Sequence, residues 1–176
     1  YMTDGFGISA ATQIAYTEND QCNTNDQSSV PLAPCAYVDD IMFDYYGIEE
    51  YHVVADPNNE YIDHIDCWGK FLSPGKLLIR SVQTSHPQYD EIEEIVDYFE
   101  STTTSNNQSW EIYRVYTPND QPYTNSLILN NKVFVPIMNS SWDDDALSVY
   151  EEAMPDHEIL PFTGSWMSTD ALHCRI

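Results

Sequence analysis

Two stretches carry residue types that could do chemistry. The first is Tyr61-Ile62-Asp63-His64-Ile65-Asp66-Cys67-Trp68. Read as an extended strand, it puts His64, Asp66 and Trp68 on one face and Ile65 and Cys67 on the other. An imidazole and a carboxylate two residues apart on one face can converge on one small ligand. The second is Ala171-Leu172-His173-Cys174-Arg175. A thiol to attack, a histidine to move protons and a carboxylate to hold a cation would together make a reaction site. Each piece also has an ordinary reading. H-x-D arises by chance in many chains, and a lone cysteine is often a small buried hydrophobe. By alternation Cys67 points away from His64 and reads as a packed core thiol. His173 is likewise aimed away from Cys174 and reads as structural. Trp68 and Trp166 could wall a site or fill the core.

The composition limits the possible partners. With 176 residues the chain can bury a real core, and 42% hydrophobic and 13% aromatic content fit a globular domain despite a net charge of -23. Only 6 Lys and Arg oppose 29 Asp and Glu. A phosphate backbone or an anionic membrane surface would be repelled, so nucleic acid and membrane are not expected as partners. A guanidinium or an amine would be attracted, although an acidic surface also serves solubility alone. No apolar run approaches the ~20 residues of a spanning helix. The chain opens on Tyr1 without a signal peptide, which reads as a processing boundary. Cys22 and Cys35 flank a polar loop and could pair in an oxidising compartment. The expected location is extracellular or secreted. The four cysteines have neither a zinc spacing nor the density of a disulfide scaffold.

The elements that must position these residues recur in order. Ile8 to Thr17 reads as a strand. Ala36 to Tyr46 reads as a helix with Val38, Ile41, Met42 and Tyr45 inward, stopped by Gly47. His52 to Ala55 reads as a strand. His64 to Phe71 and Leu77 to Val82 read as strands around Pro74-Gly75, followed by a helix over Gln88 to Glu100 and a strand over Trp110 to Tyr116. Asn125 to Leu129 and Lys132 to Ile137 read as a hairpin around Asn130-Asn131, followed by a helix from Asp143 to Met154 and a strand from Glu158 to Phe162. The unit strand, strand, helix, strand therefore appears three times, over about 1–57, 61–118 and 122–163, with a fourth beginning near 169. Asp4, Asp66, Asn125 and Cys174 open successive units. If the units surround an axis, these residues converge at its centre.

Gln121-Pro122-Tyr123-Thr124-Asn125-Ser126-Leu127, His64-Ile65-Asp66-Cys67-Trp68-Gly69-Lys70 and Thr169-Asp170-Ala171-Leu172-His173-Cys174-Arg175 together resemble the peptidylarginine deiminase and agmatine deiminase family. Tyr1-Met2-Thr3-Asp4-Gly5 also resembles internal sequence of that family, and its bacterial secreted peptidylarginine deiminases are the nearest in kind. The resemblance implies a pentein α/β propeller, of which this chain is about three of five units and the C-terminal part of the catalytic domain. It implies Cys174 as nucleophile, His64 as acid and base, and Asp66 as guanidinium clamp. It further implies Tyr61, Ile62 and Asn125 as substrate-binding positions, with no metal or cofactor. The family's second guanidinium-binding aspartate and its carboxylate-recognising residues would lie upstream, so other chain segments or subunits are expected to complete the ring.

The expected function is hydrolysis of arginine in peptides to citrulline and ammonia through a covalent thiouronium. Agmatine as substrate is the first alternative. A non-catalytic, acidic, extracellular module or assembly subunit on a deiminase scaffold is the second.

Overall fold

The computed structural model describes residues 1–22, 27–59 and 61–175. It holds three three-stranded sheets of one topology. In the first, β1 (Met2–Thr3) pairs antiparallel with β2 (Ile8–Thr12), which pairs parallel with β3 (Glu50–Val54). The second is built from β4 (Gly69–Ser73), β5 (Lys76–Ser81) and β6 (Glu111–Tyr116). The third is built from β7 (Leu127–Leu129), β8 (Lys132–Ile137) and β9 (Glu158–Thr163). Each parallel pair needs a crossover, supplied in turn by α2 (Ala36–Tyr46), α3 (Tyr89–Ser101) and α4 (Asp143–Ala153). The fold is α/β, three copies of the expected strand, strand, helix, strand unit.

Local sequence explains the helices. α3 opens with Asp90 and Glu91 and α4 with Asp143, Asp144 and Asp145, negative charge where the helix dipole is positive. α2 ends at Gly47, whose φ of 67° is the left-handed conformation that a glycine adopts without strain. α3 buries Ile92, Ile95, Val96 and Phe99, all four of the residues its spacing marks as inward. α2 differs from expectation. Val38 and Met42 are buried, but Tyr45 is 80% exposed. Two other elements differ as well. The strand from Ile8 stops at Thr12, and α1 (Ile14–Thr17) follows, burying Tyr16 so that its hydroxyl donates to Asp39 of α2. The strand expected from His64 begins only at Gly69, because Ile65–Cys67 form a 3₁₀ turn.

Two of the core clusters lie between units, and a third lies inside the first unit. Ile8, Ala10 and Val54 of the first sheet meet Phe71, Ile79 and Phe99 of the second unit in one cluster, and Leu78 and Val115 meet Val133, Val135 and Tyr150 of the third unit in another. Trp68 is fully buried in the first cluster, so it fills core and does not wall a site. Among the described residues, the exposed large hydrophobics fall mainly in the outer units. Phe6, Tyr37, Phe43, Tyr45 and Tyr46 lie in the first unit and Leu129, Met138 and Phe162 in the third, while the middle unit shows only Tyr61. The faces of the middle unit are covered on both sides.

His52 of β3 is a polar residue buried at the first junction. Its Nδ1 lies 2.7 Å from the Tyr98 hydroxyl of α3, its ring packs edge-on against Phe99, and its Nε2 is 3.4 Å from Glu50 Oε1. Burial lowers its pKa from 6.5 to about 4. The unfolded chain takes up this proton as pH falls through 6.5, and the folded chain only near 4. The contribution of His52 is therefore complete above pH 6.5 and is lost between 6.5 and 4, by roughly 3 kcal/mol at most. Urea unfolding of the parent and of His52→Asn at pH 7 and pH 4.5 checks this. The stability gap between the two proteins should shrink at the lower pH, and an equal gap at both would refute it.

Candidate active site

The turn that carries His64 and Asp66 is made locally and then pinned. Asp63 adopts φ 48°, a left-handed conformation that aspartate tolerates better than most residues, and its carbonyl accepts the Thr12 hydroxyl. His64 is extended, and the 3₁₀ turn closes through Cys67 N to His64 O and Trp68 N to Ile65 O. Thr124 then donates its hydroxyl to the Asp66 carbonyl at 3.0 Å, tying the turn to the third unit. Strand alternation does not apply here, yet His64 and Asp66 still point the same way. The side chain of His64 is 48% exposed and that of Asp66 only 6%.

Asn125 holds the segment that carries Cys174. Its Oδ1 accepts the backbone N–H of His173 at 2.9 Å and that of Cys174 at 3.3 Å, and its own carbonyl lies 3.2 Å from the His173 nitrogen. With Oδ1 committed to two donors, Nδ2 must face the thiol, and it donates to Cys174 Sγ at 2.9 Å. Asn125 is fully buried and stands behind the sulfur, not on the wall of the cavity in front of it. The segment is a short 3₁₀ turn, His173–Arg175, steadied by the Arg175–Asp170 ion pair and by Arg175 stacked over Trp166 at 5.2 Å.

The three expected catalytic residues come together. The Cys174 thiol donates to Asp66 Oδ2 at 3.1 Å, and His64 Nδ1 lies 4.0 Å from Asp66 Oδ1. One nitrogen, one oxygen and the sulfur of this set lie within 4.8 Å of one another, close enough to meet on one small electrophile or cation. They line a cavity of about 480 Å³ whose other walls include Thr12, Glu18, Asn19, Tyr51 and Asp63. Tyr61 and Ile62 are not among its lining residues. Tyr61 is 89% exposed and projects from the surface beside the turn. Asp4 opens the first unit but does not reach this cavity. Its Oδ1 accepts the backbone N–H of Phe6 and of Ile8, and it lines a second cavity on the far side of His173.

Two residues carry more than the sequence reading assigns them. His173 is not turned away: its Nδ1 sits 2.7 Å from Asp66 Oδ2. Alternation fails because the backbone there is a 3₁₀ turn and not a strand. Lys70 of β4 is 4% exposed, and burial lowers its pKa to about 8 while Asp66 and Cys174 pull it back up. An ammonium this deep in the fold is costly unless negative groups face it. The only sequence signal for it is a lysine at an inward position of an otherwise apolar strand.

These surroundings set the charges. Burial pushes the Asp66 carboxyl up, but hydrogen bonds from His173 and Cys174, with the nearby His64, more than reverse this and hold it below the ordinary carboxylate range. Burial pushes the Cys174 thiol up and the Asp66 carboxylate adds to that, while the Asn125 amide pulls it back. The balance favours the thiol form of Cys174, and a positive charge placed beside it would favour the thiolate. Lys70 is one built-in cation whose charge couples to Cys174, and Arg175 is another. Lys70→Met should move the pH midpoint of Cys174 alkylation by iodoacetamide upward by about half a unit or more. The measurement is rate against pH, with Cys174 and the buried Cys67 separated by peptide mass. An unmoved midpoint would remove Lys70 from this account.

The chain is similar to known proteins in sequence and in fold. The family model of the Porphyromonas-type peptidyl-arginine deiminases matches residues 7–175. An agmatine deiminase of Medicago truncatula is 24% identical over 151 residues, which are 68% of this chain and 40% of that protein. A solved structure from Porphyromonas gingivalis, assigned as an arginine deiminase, superposes with a TM-score of 0.81 at 20% identity, covering 98% of this chain and 53% of that one. The agmatine deiminase of Enterococcus faecalis superposes with a TM-score of 0.77 at 17% identity, covering 98% and 53%. The two structures share the pentein fold with this chain, which spans about half of their length. With the family model matched over almost the whole sequence, the chain belongs to the Porphyromonas-type peptidyl-arginine deiminase family, within the arginine and agmatine deiminases.

Proposed function

We propose that this chain carries the nucleophile half of a guanidinium hydrolase, with Cys174 as nucleophile, His64 as acid and base, and Asp66 as clamp. The observation behind it is the convergence of thiol, imidazole and ionised carboxylate within 4.8 Å on one cavity wall. A guanidinium carbon is a poor electrophile because its charge is delocalised. Asp66 holds two of its N–H groups and gathers the positive charge toward the bound nitrogens. As the cation arrives, the thiol proton passes to solvent or to the exposed His64, and a guanidinium N–H takes its place on Asp66 Oδ2. The thiolate attacks the carbon, His64 protonates the departing nitrogen, and ammonia leaves behind a thiouronium bonded to Cys174. His64 then takes a proton from water. The hydroxide adds to the same carbon, the C–S bond breaks, the added hydroxyl gives up its proton to solvent, and a neutral ureido product departs as the thiolate returns. Asn125 Nδ2 donates to the sulfur whenever it is anionic.

The substrate in this reading is arginine within a peptide, as the family model's description suggests. Agmatine is the second reading. Glu18 and Asp63 line the cavity together with Asp66, and no lysine or arginine is among the described lining residues. Such walls favour a second positive charge on the substrate. The Cys22–Cys35 disulfide supports placing the protein in an oxidising, extracellular compartment. The deciding assay measures ammonia and ureido product from an arginine peptide and from agmatine, at low and high salt. Turnover of the peptide supports the first reading, and turnover of agmatine alone the second. Inertness toward both would leave an acidic module on a deiminase scaffold.

A further inference from the structure

His173 stands where two cavities meet. It lines the reaction cavity beside Cys174 and also a second cavity, of about 530 Å³, with Asp4 and Lys70. Its Nδ1 lies 2.7 Å from Asp66 Oδ2, the same oxygen that takes the Cys174 thiol at 3.1 Å. A carboxylate oxygen below its ordinary titration range only accepts, so Nδ1 carries the hydrogen and donates. The His173 backbone N–H is in turn held by Asn125 Oδ1 at 2.9 Å. Ring and main chain are thus both fixed by neighbours of the nucleophile. His64, by contrast, is 4.0 Å from Asp66 and half exposed, too far to hold the carboxylate.

We propose that His173 is a positioning residue for guanidinium capture, and this rests on the deiminase reading above. Its Nδ1–H holds the Asp66 carboxylate in the orientation that turns Oδ2 toward Cys174 Sγ. Rotation of a carboxylate about its last bond is otherwise soft. A planar guanidinium on that carboxylate turns with it, and a small rotation takes the central carbon off the line of the sulfur. The lone pairs of Oδ2 allow the arrangement. One accepts His173 throughout. The other accepts the thiol at rest and becomes free for a guanidinium N–H when the thiol ionises. His173 thereby differs from His64: it exchanges no proton with the substrate, and its hydrogen bond persists through the cycle.

Two substitutions separate this role from simple packing. In His173→Asn the side-chain amide can place its N–H near the position of the imidazole Nδ1. In His173→Gln the amide lies one carbon farther out, near Nε2, and that donor is lost. Two measurements are made on the parent and on both variants. One is the concentration of agmatine, or of an N-acyl arginine amide, that half-protects Cys174 from iodoacetamide. The other is kcat and KM for ammonia release. Thermal unfolding verifies that both variants fold. Gln should raise the half-protecting concentration about tenfold or more and lower kcat, while Asn stays within about threefold of the parent. A Gln variant equal to the parent would overturn the proposal, as would an Asn variant as impaired as Gln. If the parent Cys174 is protected and turns over but the variants match it, only the proposal falls. If neither probe protects the parent and no ammonia appears, the deiminase reading falls with it.

Discussion

Cys174→Ser should lower ammonia release by at least about a thousandfold with little change in stability. Serine nearly keeps the shape of the side chain, and its hydroxyl can still donate to Asp66 Oδ2 and accept from Asn125 Nδ2. What changes is the reactive species. The attacking group must be an anion, and a hydroxyl is far from ionised near neutral pH even beside a bound guanidinium, whereas a thiol needs only a modest push. The site supplies that push in parts: the Asn125 amide at 2.9 Å, buried Lys70, and the arriving cation, against burial and the Asp66 charge. Because the serine variant keeps the clamp, it should still bind a guanidinium. The measurement is turnover together with agmatine or arginine-peptide binding by calorimetry. Residual turnover within tenfold of the parent would mean that Cys174 is not the nucleophile. Lost binding with lost turnover would mean that the substitution had disturbed the cavity.

Asp66→Asn should act on binding and chemistry together, lowering kcat/KM by about 10³-fold or more. The carboxylate is buried and takes the thiol at 3.1 Å and the His173 ring at 2.7 Å on one oxygen. The amide has one accepting oxygen instead of two and no charge. It cannot receive two N–H groups of a planar cation while also holding His173. Truncating one member of a desolvated charge pair typically costs several kcal/mol, because the other charge is left without a partner. The rise in KM should therefore accompany the fall in kcat, unlike the serine variant, where binding persists. Alkylation of Cys174 gives a second readout. With the anion gone the thiol is easier to ionise, so the pH midpoint of the reaction should move down. A variant with parental KM would show that Asp66 does not hold the substrate.

Much of the architecture was legible because it repeats. The spacing of Ile92, Ile95, Val96 and Phe99, the acidic first turns and Gly47 state the helices locally. The threefold repeat follows from the return of the same pattern, and the structure has three sheets of one topology. The residue types of the candidate site were legible too, since few combinations of thiol, imidazole and carboxylate have so direct a chemistry. Where periodicity was extended across a turn, it misled. Strand alternation through 64–68 and 171–175 placed His173 away from Cys174 and Trp68 beside His64, but both segments are 3₁₀ turns. A 3₁₀ turn repeats every three residues and not every two. Such turns are held in place by contacts that are distant in sequence, Thr12 on Asp63, Thr124 on Asp66 and Asn125 on 173–174. No local propensity encodes these. The same holds for Asn125, whose hydrogen bond reaches Cys174, 49 positions later. The sequence by itself determined the repeat, the three crossover helices and the residue types of the candidate site, because each depends on neighbours along the chain. Only the tertiary structure decided which groups share a hydrogen bond and on which side of the wall Asp4 and Lys70 stand, because those distances are settled where separate units pack together.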